Sequence, residues 1–152
     1  SEKGKTLVLL TTDHGMSPTD PKYTTYLNLE FPELIPMLDS SQKGHPLVPA
    51  GGCRDFFLHL KEDKLQDAIS LLQEPLAEKA EVHKVHDLLE AGFFGHSVSE
   101  NLRSRVGNLV ILPYYGESVW WYEKNRFEQN MLGHHGGLTR EEMEIPLLAL
   151  CL

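Results

Sequence analysis

Thr6-Leu-Val-Leu-Leu-Thr-Thr-Asp-His-Gly-Met16 is the stretch on which the reading of this chain turns. Leu7 to Leu10 are four large aliphatic residues in a row, with no polar alternation. Such a run predicts a strand buried on both faces, as in a parallel sheet. It ends on Asp13-His14-Gly15, and in open α/β sheets ligands bind at the carboxyl ends of strands. Gly15 permits a sharp turn just after the pair. Asp oxygen and His nitrogen are both good zinc ligands. An Asx-type turn is the plain alternative for the same residues. A closed site needs a partner, and the best candidate lies near the other end of the chain, in Gly133-His-His-Gly-Gly-Leu-Thr139. There Gly136 and Gly137 would let the backbone approach a bound ion or ligand closely. The alternative is a surface turn before a capped helix.

Between these two stretches the sequence divides. Ser17 to Pro21 reads as loop. Tyr23 to Leu29 reads as a strand, and Pro32 suits the first turn of a helix reaching Leu38. Residues 39–52, with three glycines and two prolines, read as a linker. A second unit follows: a strand from Asp55 to Leu60, an amphipathic helix from Lys61 to Gln73, and a strand from Ala80 to Val85. Asp87 to Ala91 and Val98 to Arg105 are short helices. Asn108 to Leu112 and Ser118 to Tyr122 read as two strands joined by a turn at Tyr115-Gly116-Glu117. Thr139 and Glu142 have the spacing of a capping box. Ile145 to Leu152 is a last apolar strand. The expected organisation is α/β: core segments at 1–50 and 131–152, with a small α+β cap subdomain, 51–130, inserted between them.

Composition bounds the function. The net charge of −8 speaks against a nucleic-acid polymer as partner, because phosphate binding needs clustered Lys and Arg. It leaves an anionic small molecule open, since metal ions bring their own positive charge. No apolar run approaches the roughly 20 residues of a membrane span. Cys53 and Cys151, the only cysteines, read as reduced structural thiols, which points to a cytoplasmic setting.

Taken together, Thr11-Thr-Asp-His-Gly-Met16 and Gly133-His-His-Gly-Gly-Leu-Thr-Arg-Glu-Glu-Met-Glu-Ile-Pro-Leu147 resemble the later metal-binding motifs of the alkaline phosphatase superfamily. The closer likeness is to its type I phosphodiesterase/nucleotide pyrophosphatase branch, including the PglZ-like proteins. The resemblance implies an alkaline-phosphatase-like core sheet and two divalent metal ions, usually zinc, with manganese or iron as alternatives. Asp13 and His14 match the pair that binds the nucleophile-activating metal. His135 matches the histidine on the other metal, with His134 as the alternative. The implied activity is hydrolysis of a phosphoester or phosphoanhydride in a nucleotide or similar small substrate. Phosphomonoesterase, sulfatase and phosphoglycerate-mutase-type chemistry are the alternatives within the superfamily; a non-catalytic metal- or partner-binding module is the alternative outside it. The family's nucleophile, its early Asp ligand and its Asp-x-x-x-His pair have no counterpart in the twelve residues before Asp13. The resemblance therefore implies the C-terminal part of a longer enzyme, inert alone, whose N-terminal half is a partner and whose open sheet edge favours self-association.

Three further features carry bland expectations. His83 and His86 have no third ligand nearby and read as structural or surface residues, and His59 reads as half-buried packing. Tyr114, Tyr115, Trp120, Trp121 and Tyr122 read first as packing residues and second as base-stacking ones. Glu141, Glu142 and Glu144 read as a solvated helix start that favours the helix dipole.

Overall fold

The computed structural model describes residues 6–152; the first five residues of the 1–50 core segment lie outside them. Strand β1 (Leu7–Thr11) leads through the Asp13-His14 loop to a short β2 (Ser17–Pro18). Strand β3 (Thr24–Tyr26) passes directly into α1 (Leu27–Glu30), so the strand expected to reach Leu29 is cut short. A 3-10 helix, Pro32–Met37, follows with its proline in the first turn. Next come β4 (Ala50–Gly51), β5 (Phe56–Leu58), α2 (Leu65–Leu72), β6 (Ala80–Lys84), α3 (Val85–Glu90), α4 (Glu100–Arg105) and β7 (Leu109–Pro113). The chain closes with β8 (Ser118–Trp120), β9 (Gly133–His134), α5 (Arg140–Met143) and β10 (Leu147–Cys151).

The middle of the chain forms an antiparallel sheet in the order β4-β5-β7-β6. It is covered on both faces, and the alternation of its strands shows why. Phe56 and its register partner Ile111 point into one cluster, with Leu58, Leu109 and the α2 residues Ala68, Ile69 and Leu72. Phe57 and its partner Val110 point into the other, with Val85, Leu88 and Val106. The first cluster also takes in Leu27, Leu34 and Leu38, so residues on both sides of position 50 share one core.

Two pairings differ from expectation. β7 and β8 do not form a hairpin: β7 lies between β5 and β6, whereas β8 pairs in parallel with β3, Thr24 against Ser118. The buried Thr24 and Ser118 hydroxyls hydrogen-bond at 2.8 Å, which satisfies two polar groups inside the core. β1 pairs antiparallel with β10, Thr11 against Leu147 and Leu7 against Cys151. This ribbon is exposed along its whole length; Leu10 and its neighbour Leu148 are 63% and 62% exposed. The apolar run is a strand as expected, but it is not covered, because β10 is its one strand neighbour among the described residues.

The second half of the aromatic stretch packs, whereas Tyr114 and Tyr115 are exposed. Trp120 meets Phe56 edge to face at 5.6 Å, and Tyr122 meets Tyr26 at 5.4 Å. His83 pairs with Glu81 and His86 with Glu90 at the surface, while His59 is half-buried. Both cysteines are free thiols, Cys53 buried and Cys151 exposed. No helix among the described residues is long and apolar enough to cross a membrane.

Candidate metal centre

The two ends of the described chain run side by side. Beyond the β1/β10 ribbon, Thr11 Oγ1 donates to Pro146 O at 2.9 Å. Gly15 N then donates to Glu142 O at 2.8 Å and Met16 N to Glu141 O at 3.0 Å. β2 continues the contact by pairing with β9, Ser17 against His134. The Asp13-His14-Gly15 loop therefore lies against the His134-His135-Gly136-Gly137 loop. Gly15 is required by this approach: a Cβ there would stand 1.9 Å from Glu141 O.

The result is a stack. The imidazoles of His14 and His135 lie face to face, with centroids 3.8 Å apart and planes 17° apart. His14 Nδ1 is 2.8 Å from Gly15 O. A carbonyl only accepts, so Nδ1 carries the proton and Nε2 keeps its lone pair, as a metal-binding imidazole must. Asp13 Oδ2 lies 3.7 Å from that Nε2. The Asp13 carboxyl is held below its usual value by its own backbone amide first, then by His14 and Thr12. It is thus an anion at neutral pH, as a ligand must be.

These donors fit a divalent metal. Two zinc–ligand bonds laid end to end span about 4.1 Å, slightly more than the gap between Asp13 Oδ2 and His14 Nε2, so one ion can reach both. No group of three metal-ligating side chains assembles among the described residues. Asp13, His14 and His135 would supply at most part of a coordination shell. His134 differs from His135: its Nε2 is sealed from solvent without a hydrogen-bond partner. Burial first, then His135 and Arg54, lower its tendency to protonate. Thr12 Oγ1 is engaged with Asp13 Oδ1 and His14 O, within its own loop, whereas Thr11 reaches across to Pro146 O.

The support of the centre comes from Arg54, which the sequence reading passed over, and from Glu142, which is buried rather than solvated. Glu142, expected to be solvated, is 2% exposed and paired with Arg54, which is 0% exposed. Arg54 Nε and Nη2 meet the two carboxylate oxygens at 3.0 and 2.8 Å. Arg54 Nη1 donates to the carbonyls of Tyr114 and Glu117. The capping-box pair does meet, but side chain to side chain: Thr139 Oγ1 donates to Glu142 Oε2 at 2.7 Å. Burial pushes the Glu142 carboxyl up; hydrogen bonds from Arg54, Thr139 and Gly137 together outweigh it and hold the group below its ordinary value. The glycines after His135 also serve the protein rather than an ion. A Cβ on Gly137 would lie 2.7 Å from Glu142 Oε2, and one on Gly136 would lie 2.8 Å from Asp55 Oδ1. Asp55 accepts from Gly52 N at 2.7 Å, and burial raises its carboxyl above the usual range. An Arg-Asp pair directly before the apolar run Phe56-Phe57-Leu58 was the available signal in the sequence.

No protein-family model matches the chain, and no curated protein matches it. Solved structures do. Murine ectonucleotide pyrophosphatase/phosphodiesterase 5 superposes with a TM-score of 0.62 at 19% identity, over 94% of this chain and 33% of that one. An inactive variant of the murine protein, solved in complex with AMP, gives 0.63 at 19% identity with the same coverage. Phosphonoacetate hydrolase from Sinorhizobium meliloti 1021, in complex with phosphonoformate, gives 0.60 at 16% identity, over 94% of this chain and 35% of that one. The chain thus spans about a third of the length of these solved chains. Over that third, it shares the α/β fold of these solved chains.

Proposed function

We propose that this chain carries part of the two-metal centre of a phosphoric ester hydrolase acting on phosphodiesters or nucleotide pyrophosphates. Asp13 and His14 would hold one divalent ion, most simply zinc, and His135 the other. The stacked histidines carry this reading. The lone pair of an imidazole nitrogen lies in the ring plane, so two nearly parallel rings do not aim at a single point. Each ring addresses its own ion.

Bound divalent ions supply Lewis acidity toward phosphoryl oxygens and lower the pKa of a bound hydroxyl or water. The chain's own contribution is to place the ligands. Gly15 O fixes the His14 tautomer, and the backbone bonds to Glu141 and Glu142 fix the loop that carries Asp13. Thr11 donates across to Pro146 O and Thr12 is engaged within its own loop; the nucleophile and the remaining ligands would come from polypeptide outside these 152 residues. Residues 51–130 then act as a cap that shapes substrate choice. The likeness to phosphonoacetate hydrolase extends the substrate class to phosphonates.

Calorimetric zinc titration tests the assignment. The chain joined to the polypeptide that completes the shell is expected to bind two ions, with Asp13→Ala removing one and His135→Ala the other, whereas the chain alone is expected to hydrolyse bis-(p-nitrophenyl) phosphate no faster than buffer. One ion lost equally in either variant would overturn the two-site reading. Zinc-dependent turnover by the chain alone, lost in Asp13→Ala, would overturn the external nucleophile.

A further inference from the structure

Four donors converge on one buried carboxylate. Glu142 Oε1 accepts from Arg54 Nε and from Gly137 N, both at 3.0 Å. Oε2 accepts from Arg54 Nη2 at 2.8 Å and from Thr139 Oγ1 at 2.7 Å. A carboxylate offers about four lone-pair sites, and all of them are taken. The main chain of the same residue reaches the other way, its carbonyl accepting from Gly15 N at 2.8 Å. One residue thus grips both loops of the centre, by its side chain two residues after His135 and by its backbone one residue after His14. Arg54 anchors the grip in the cap segment through the carbonyls of Tyr114 and Glu117.

We infer that Glu142, held by Arg54, is the positioning residue of the centre: it sets the stacking of His135 on His14 by fixing the two loops against each other. A fold staple would be indifferent to which groups fill the space. A positioning residue must keep its acceptors. Glutamine has one acceptor oxygen, so Glu142→Gln breaks half of the constellation. It also leaves a buried guanidinium without its counter-charge, which destabilises. Replacing both partners by methionines removes the uncompensated charge and so recovers stability relative to Glu142→Gln, but leaves Gly137 N and Thr139 Oγ1 without their acceptor.

The geometry is read without any metal. Stacked imidazoles shield each other's ring protons, so the proton NMR shifts of His14 and His135, assigned with single His→Gln variants, report the stack directly. Both upfield shifts are expected to collapse in Glu142→Gln and in Arg54→Met/Glu142→Met, although the double variant, free of the uncompensated charge, melts above Glu142→Gln. Thr139→Val, which keeps the ion pair and removes one donor, shifts the rings in the same direction by less. Zinc affinity, where the parent chain binds it, falls about 10–100-fold in the first two variants. Rings that stay stacked in a folded variant, or that restack together with recovered stability in the double variant, would overturn the inference. The ring shifts stand whether or not zinc binds, so failure of the two-metal reading and failure of this inference are told apart.

Discussion

At the scale of single residues, the buried pair carries a pH dependence of definite sign. The Glu142 carboxyl is held below its ordinary value of 4.5 in the folded chain. The folded state therefore binds this proton less readily than the unfolded state does. The pair's contribution is complete above the unfolded value and is lost as pH falls through the lower folded one. The charged groups facing Glu142 are Arg54, which favours its ionised form, and Asp55, which opposes it. Thermal unfolding followed by circular dichroism between pH 6 and pH 3 is expected to show a fall in Tm that Arg54→Met/Glu142→Met flattens. Asp13, His14 and His135 were picked out by the resemblance of their two motifs, and the fold brings those two loops together. Arg54 and Glu142 were not legible as a pair: an arginine in a loop and a glutamate in a helix start look solvated until the fold brings them together.

At the scale of elements, glycine at a close approach is the sharpest constraint. Gly15 faces the carbonyl of Glu141 so closely that any Cβ must displace backbone. Gly15→Ala is expected to lose the bonds from Gly15 N and Met16 N to residues 142 and 141. Two neutral backbone bonds contribute about 1–3 kcal/mol in sum, and urea unfolding monitored by tryptophan fluorescence measures the loss. The elements themselves were mostly readable. Phe56, Phe57 and Leu58 announce a strand as a short apolar run, and Leu65, Ala68, Ile69 and Leu72 announce a helix by period. Partnerships were less so. The parallel pairing of β8 with β3 has no local signature, because the two strands lie far apart in sequence, whereas a turn at Gly116 favours the hairpin that does not form. Likewise, the aliphatic run of β1 reveals a strand without revealing that this chain leaves it uncovered.

At the scale of the molecule, the β1/β10 ribbon governs behaviour in solution. Val8, Leu10, Leu148 and Leu150 share one exposed face by register, and both outer edges of the ribbon are open among the described residues. Burying one large aliphatic side chain contributes about 1.5–3 kcal/mol, so the chain is expected to self-associate. Sedimentation velocity over a concentration series should show a rising mean sedimentation coefficient. Leu10→Lys/Leu148→Glu, which puts opposite charges on that face, should hold it at the monomer value. The ribbon also imposes an order of events. Because β1 pairs with β10, the stack of His14 on His135 requires closure of nearly the longest loop the chain can make. Such closure comes late, after the local contacts of the middle sheet have reduced the search. During synthesis, His14 leaves the ribosome well before His135, and the two rings are held together only once Leu147–Cys151 has followed.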